Sequence, residues 1–166
     1  MANQFQVEQV DHIEISVPDR REAAGWYERI LGLRIVPEFE HWATNPQGPL
    51  MISTPKGETK LALFEGQPQG NRKTAGYHLV AFRVNGGQFL KFRELLSTLR
   101  LKNAEGNLVT KEKVSDHQGS YSIYFCDPYG HRLEITTYDY HEVKAQNGSA
   151  VMRKTLTIQT PNLKGD

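Results

Sequence analysis

The side chains best suited to chemistry are two histidines and one glutamate in matching places of two similar stretches. His12 begins the alternating segment HIEISV, His78 begins HLVAFRV, and Glu134 follows the turn DPYG. Superimposing the two halves places His12 on His78 and Ala62 on Glu134, because a shared Pro-x-Gly turn fixes the register of the next strand. Two imidazoles and one carboxylate form the facial triad of non-haem Fe(II) oxygenases, which leaves positions open for substrate. The sequence therefore predicts one divalent metal ion on His12, His78 and Glu134, with Fe(II) or Mn(II) favoured and Zn(II) or Ni(II) as alternatives.

The elements that must position these residues follow one order twice. In the first half, periodicity predicts a strand, a helix between Asp19 and Gly32, and three more strands, with the strands at 7–17, 33–42, 50–54 and 60–65. In the second half it predicts a helix at 89–101 and strands at 76–84, 108–115, 121–126 and 132–138. The chain thus contains two βαβββ modules, at about residues 7–65 and 76–139. We expect them to form a single domain over 1–139, followed by a C-terminal extension over 140–166.

Composition narrows the class of partner. The chain has 166 residues, of which 38% are hydrophobic, and its 20 Lys and Arg nearly balance its 19 Asp and Glu. Without a strong net charge, no bulk field attracts nucleic acid or anionic lipid. We therefore expect a small-molecule substrate, and neither a nucleic acid nor a membrane as partner.

The cysteine content and the first residues indicate the cellular compartment. Cys126 is the only cysteine, so it cannot form an intrachain disulfide. No apolar run is long enough to span a bilayer, and MANQFQVEQV lacks the features of a signal peptide. We expect a cytoplasmic protein.

Over residues 7–139 the sequence resembles the vicinal oxygen chelate superfamily, which includes glyoxalase I, fosfomycin-resistance enzymes, bleomycin-binding proteins and extradiol dioxygenases. The motifs that carry the resemblance are DHIEISVPD (11–19), WYERILGL (26–33), GYHLVAF (76–82) and YFCDPYGHRLEI (124–135). It implies an α+β fold in which the two modules form a curved, cup-shaped mixed β-sheet with the helices outside. It also implies that the metal ligands are His12, His78 and Glu134, and that the protein is a homodimer, with each site built within one chain or across the dimer.

A second motif is similar to that of the extradiol dioxygenases. Its members here are His117, Ile123-Tyr124, Asp127-Pro128, Gly130 and Glu134, whereas Ser115 departs from the usual residue. The resemblance implies that His117 hydrogen-bonds the bound substrate or oxygen, and that Tyr124 contacts the substrate hydroxyl. We therefore expect a metal-dependent, dioxygenase-like enzyme that acts on a small oxygenated substrate, with His117 and Tyr124 as catalytic residues.

Three alternatives stay open at this stage. A glyoxalase or another isomerase could use the same triad, although the fourth ligand of glyoxalase I corresponds to Ala62 here. A fosfomycin-type thiol transferase is a second possibility, although its arginine beyond the glutamate ligand corresponds to Val143, next to Lys144. A bleomycin-binding protein, which needs no metal, is the alternative from another class.

Overall fold

The structure, a computed structural model, describes residues 10–67 and 78–146, in two compact units that divide between Tyr77 and His78. We call residues 10–67 the N-terminal unit and residues 78–146 the C-terminal unit. Each unit contains one four-stranded mixed sheet and at least one α-helix, which confirms the tandem α+β fold. None of the helices in these two ranges is long and apolar enough to span a membrane.

In the N-terminal unit, the sheet has the strand order β1-β4-β3-β2, in which β1 and β4 are parallel and the other pairs are antiparallel. Its elements are β1 (His12–Val17), α1 (Arg20–Leu31), β2 (Arg34–Ile35), a 3₁₀ helix (Pro37–Thr44), β3 (Leu50–Ser53) and β4 (Lys60–Glu65). The bounds of β3 and β4 agree closely with the predicted strands at 50–54 and 60–65, because turn residues flank both apolar segments.

Local sequence sets both ends of α1. The Asp19 side chain accepts hydrogen bonds from the backbone N–H groups of Arg21 and Glu22, so it caps the first turn. Gly32 ends the helix with φ +71°, a left-handed conformation that glycine adopts without steric cost. Helix α1 buries Tyr27 and contacts β3 and β4. The helix therefore covers one face of the sheet.

In the C-terminal unit, the strand order β5-β8-β7-β6 repeats that of the first unit, again with one parallel pair, β5 and β8. Its elements are β5 (Val80–Arg83), α2 (Gly86–Leu99), β6 (Ser115–Asp116), β7 (Tyr121–Cys126), β8 (Arg132–Thr137) and α3 (Tyr140–Gln146). Along β7 and β8 the apolar side chains alternate into the core: Ile123, Phe125, Leu133 and Ile135 are all at most 3% exposed. The intervening residues face the other way.

The predicted strand over 33–42 is wrong beyond its first residues. Pairing ends at Ile35, and the chain enters the 3₁₀ helix at Pro37. Proline has no N–H to donate to a neighbouring strand, and its fixed φ suits the first turn of a helix. As a result, Phe39 and Trp42 stand on a helical segment and not on an edge strand.

The predicted strand over 108–115 is also wrong for most of its length. Only Ser115 and Asp116 pair as β6, and Leu108 makes a single bridge to Lys102. A turn interrupts the segment, since the Lys113 N–H donates to the Thr110 carbonyl at 3.0 Å.

The C-terminal extension begins as an ordered helix. Helix α3 packs on α2, with Val143 fully buried and the ring of Tyr140 stacked on Tyr121 at 4.9 Å. The sequence does not predict this helix, because a single buried side chain cannot produce the apolar periodicity that indicates a helix. The rest of the extension, 147–166, lies outside the described residues, as do residues 68–77.

Candidate functional site

Glu134 and Ala62 occupy the same place in the two sheets. Each is the third residue of a six-residue strand, Ala62 in β4 and Glu134 in β8. Each also lies opposite the parallel strand of its own unit, where Ala62 pairs with Glu14 and Glu134 pairs with Ala81. The repeat-based placement of Ala62 on Glu134 therefore agrees with the strand register.

The same register assigns a different residue to the place of His12. His12 precedes Glu14 by two residues, and the residue that precedes Ala81 by two is Leu79, not His78. His78 stands one position earlier and is exposed. Because pairing in β5 begins only at Val80, strand alternation does not fix the direction of His78.

We call the face of each sheet that lies opposite its long α-helix, α1 or α2, the open face. Glu134 stands in a hydrogen-bonded polar cluster on the open face of the C-terminal sheet. The Ser122 hydroxyl, which is buried, donates to Glu134 Oε1 at 2.6 Å. Ser122 also lies 3.2 Å from the Thr136 hydroxyl, which donates to the Tyr121 carbonyl. A carboxylate held in this way keeps one orientation.

Tyr124 and His117 join the same cluster. Tyr124 pairs directly with Glu134 across β7 and β8, so their side chains share a face. The Tyr124 hydroxyl lies 3.0 Å from His117 Nε2, and the two rings meet edge to face. His117 is held in the turn after β6, where its backbone N–H donates to the Ser120 carbonyl at 3.0 Å.

The environment of Tyr124 keeps its phenol protonated. Partial burial raises the pKa of Tyr124 above its ordinary value of 10, and the negative charge of Glu134 raises it further. A phenol that stays neutral near neutral pH can donate its proton in a hydrogen bond. The His117 imidazole can accept that hydrogen bond, so the pair provides a path for a proton.

In the N-terminal unit, His12 lies at the start of β1 within a small charged group. Its Nδ1–H donates to Asp11 Oδ2 at 2.8 Å, and Asp11 Oδ1 accepts from Lys60 Nζ at 2.7 Å. The hydrogen bond from Lys60, followed by that from His12, lowers the pKa of Asp11. With Nδ1 engaged, Nε2 of His12 carries the free lone pair, the arrangement usual for a metal-ligating imidazole.

A pocket of about 170 Å³ adjoins His12 on the open face of the N-terminal sheet. Met51, Ala62 and Phe64 line it from the sheet. Phe39 and Trp42 line it from the 3₁₀ helix, with their rings stacked at 4.5 Å. The sequence does not predict this aromatic pair, because residues three apart lie on opposite faces of the strand predicted over 33–42.

The donor set fits a first-row divalent metal in its chemistry. Asp11 holds His12 Nδ1 and Ser122 holds Glu134 Oε1 by hydrogen bonds, as the outer partners of metal-ligating imidazoles and carboxylates do. Among the residues that the structure describes, no group of three His, Cys, Asp or Glu side chains is placed around a metal. The ligand set His12, His78 and Glu134, of which His12 belongs to the N-terminal unit and the other two to the C-terminal unit, stays a prediction.

The chain is similar to known proteins in both sequence and fold. Among curated proteins, the metallothiol transferase FosB of Lysinibacillus sphaericus is 24% identical over 131 residues, which cover 79% of this chain and 83% of FosB. Among solved structures, the oxidase ChaP-H2 is 23% identical with a TM-score of 0.58, and the match covers 83% of this chain and 99% of that one. The fosfomycin resistance protein FosX of Mesorhizobium loti is 20% identical with a TM-score of 0.55, and the match covers 80% and 93% of the two chains.

These similarities to solved structures concern the fold. The family is shown by the sequence model of the Glyoxalase/Bleomycin resistance protein/Dioxygenase superfamily, which matches residues 9–135 and so spans both β-α-β-β-β units. The matched region includes all three predicted metal ligands as well as His117 and Tyr124. The chain belongs to the glyoxalase/bleomycin resistance protein/dioxygenase superfamily.

Proposed function

We propose that this protein is a metal-dependent, dioxygenase-like enzyme that acts on a small substrate with neighbouring oxygen atoms. The observation that supports this most directly is the contact of 3.0 Å between His117 Nε2 and the Tyr124 hydroxyl, on the face that carries Glu134. A protonated phenol beside an imidazole and a carboxylate suits a reaction in which a substrate hydroxyl is deprotonated.

His12, His78 and Glu134 are the residues that would hold the metal. When bound, a divalent ion supplies Lewis acidity and a template that orients the substrate oxygens. Asp11 orients the imidazole of His12, and Ser122 orients the carboxylate of Glu134. Both partners therefore reduce the conformational freedom of a ligand before binding.

The chain's own proton-handling groups are Tyr124 and His117. When the substrate hydroxyl releases its proton to the Tyr124 oxygen, Tyr124 passes its own proton to His117. The Tyr124 hydroxyl then donates a hydrogen bond to the substrate oxygen and stabilises the negative charge there. His117, through its contact with Tyr124, accepts the proton released from the substrate hydroxyl and returns it to the product. Ser122 and Thr136, whose hydroxyls form a hydrogen bond, lie on the same sheet face as Tyr124.

The deciding experiment is metal analysis of protein purified without oxygen, followed by oxygen uptake with catechol as the test substrate. We expect about one Fe(II) or Mn(II) per chain and metal-dependent oxygen consumption. Protein that binds no divalent metal after incubation with Fe(II), Mn(II), Zn(II) or Ni(II) would overturn the proposal.

A thiol transferase is the second candidate, because FosB matches 79% of this chain. The position that corresponds to the arginine of fosfomycin-modifying relatives is Val143, which is fully buried in α3 and so cannot contact a substrate phosphonate. An assay of thiol consumption with fosfomycin and cysteine distinguishes the candidates. We expect no consumption above the rate without protein.

We also propose a homodimer, on the family resemblance alone. One chain has a mass of 18.9 kDa, so light scattering should give about twice that value. A mass equal to that of one chain at assay concentration would contradict this part of the proposal.

A further inference from the structure

The pocket of the N-terminal unit has an aromatic wall. Phe39 and Trp42 stack with an interplanar angle of 17°, and both line the pocket. Trp42 remains 40% exposed although it is one of the largest apolar side chains of the unit. A large, accessible indole ring at a pocket offers area for a flat ligand, because aromatic rings attract each other when they stack with an offset.

The floor of the pocket is apolar and shallow. Met51 and Ala62 are almost fully buried, and their strands pair so that both side chains face the pocket. A thioether makes favourable contacts with aromatic rings, and alanine at position 62 leaves the space that a larger side chain would fill. The pocket volume of about 170 Å³ matches a single ring, since a dry apolar cavity of ~150 Å³ accommodates benzene.

The charges at the pocket do not favour an anionic ligand. Lys60 is the one cationic side chain among the residues that line it, and its ammonium group is 2.7 Å from Asp11. Glu14 adds a second carboxylate. A carboxylate or phosphonate on the ligand would therefore have to compete with Asp11 for Lys60.

From these observations we infer that the pocket between the 3₁₀ helix and the open sheet face binds a planar, uncharged aromatic ring, stacked against Trp42. The inference rests on the proposed function in one respect, namely that the ring belongs to the substrate. It selects, among small oxygenated compounds, those that carry an aromatic ring without an acidic substituent.

The test uses metal-free full-length protein and three probes of similar size: phenol, cyclohexanol and benzoate. Phenol and cyclohexanol have the same hydroxyl group and differ in the flat ring, and neither chelates a metal through two oxygens. Binding is measured by titration of the tryptophan indole N–H signals in NMR spectra, since Trp26 and Trp42 are the only tryptophans. We expect phenol to bind about tenfold more tightly than either other probe, with shifts confined to the Trp42 signal.

Two substitutions test the wall itself. Trp42→Ala should weaken phenol binding about tenfold, whereas Trp42→Phe, which retains a ring, should restore most of it. Trp26→Phe is the matched control, because Trp26 lies on α1 in contact with Tyr27 and does not line the pocket. Equal binding of phenol and cyclohexanol, tighter binding of benzoate, or unchanged binding in Trp42→Ala would each overturn the inference.

The outcome is separable from that of the proposed function. Phenol binding to metal-free protein requires neither metal nor turnover. A protein that binds phenol at Trp42 but never binds a divalent metal retains the ring site and loses the proposed enzyme activity. A protein that binds metal and consumes oxygen, yet shows no preference for phenol, retains the enzyme activity and loses the ring site.

Discussion

The two units share an order of elements and a strand register, yet they carry different side chains on their open sheet faces. In the N-terminal unit the third residue of the last strand is Ala62, beside a pocket with the stacked Phe39 and Trp42. In the C-terminal unit the same place holds Glu134, beside Tyr124 and Ser122. One scaffold thus presents an apolar pocket in one copy and a polar, proton-handling cluster in the other.

This difference shows that strand register determines the position of a side chain, whereas the residue type determines the chemistry available at that position. Alanine at position 62 leaves room, while glutamate at position 134 supplies a carboxylate fixed by Ser122. The register also shows where the duplication is imperfect. His12 has Leu79 as its counterpart, so His78 must act from outside the paired part of β5 if it is a ligand.

The largest expected effect is on metal affinity, when Glu134 is replaced by the alanine that the N-terminal unit has at the equivalent position. Glu134→Ala should lower Mn(II) affinity at least ~100-fold while the protein stays folded, because Glu134 is half-buried on the open face and not in the core. Electron paramagnetic resonance of Mn(II) measures the affinity, and circular dichroism verifies the fold.

A matched control for that variant is Glu65→Ala. Glu65 is a carboxylate on β4, the counterpart of β8, and it pairs with Arg20 at 3.3 Å. Its removal should leave Mn(II) affinity unchanged. Equal affinities of Glu134→Ala and the unmodified protein would show that Glu134 is not a ligand.

The second prediction concerns Tyr124, which has no polar counterpart in the N-terminal unit. Met51 occupies the equivalent place, because it pairs with Ala62 as Tyr124 pairs with Glu134. Tyr124→Phe should lower turnover ~10²-fold with unchanged metal content, since only the proton-donating hydroxyl is lost. The control is Tyr138→Phe, whose ring is 62% exposed at the end of the sheet. Full turnover by Tyr124→Phe with the true substrate would reduce Tyr124 to a packing residue.

The third prediction concerns the hydrogen bond that fixes Glu134. Ser122→Ala removes the donor at 2.6 Å and should weaken Mn(II) binding about tenfold, because an outer-sphere partner orients the ligand. Ser53→Ala in the N-terminal unit is the control, since Ser53 is similarly buried but donates to the Thr54 carbonyl. If both serine variants bind Mn(II) as tightly as the unmodified protein, Ser122 does not position the carboxylate.

The smallest effect is on stability at alkaline pH. Burial, then hydrogen bonding with Tyr140, raises the pKa of Tyr121 in the folded state well above its ordinary value of 10. The unfolded chain therefore loses this proton first, so the contribution of Tyr121 is intact below pH 10 and falls by about 1.4 kcal/mol per pH unit above it. Urea unfolding at pH 8, 10 and 11 should show a shallower fall for Tyr121→Phe than for Tyr138→Phe. Identical slopes in the two variants would contradict the assignment.

The sequence by itself determined the order of elements wherever local signals agreed. The bounds of β4, β7 and β8 agree with the predicted strands within one residue, because turn residues limit each of these segments. The two ends of helix α1 follow from Asp19 and Gly32, because both form hydrogen bonds with residues close to them in the chain. The side of β7 on which Tyr124 lies also follows from the sequence, since alternation places it opposite Ile123 and Phe125 without knowledge of the rest of the fold.

Only the tertiary structure decided the features that depend on residues distant in sequence. The bond between Ser122 and Glu134 arises from the pairing of β7 with β8, and the pocket arises where the 3₁₀ helix meets the sheet. The helical start of the extension forms because Val143 is buried and Tyr140 stacks on Tyr121, contacts that a single polar segment cannot reveal. Strand register likewise makes Leu79 the counterpart of His12, whereas sequence similarity pairs His12 with His78. Hydrogen-bonded pairing, and not sequence similarity, determines which residues of the two units are equivalent.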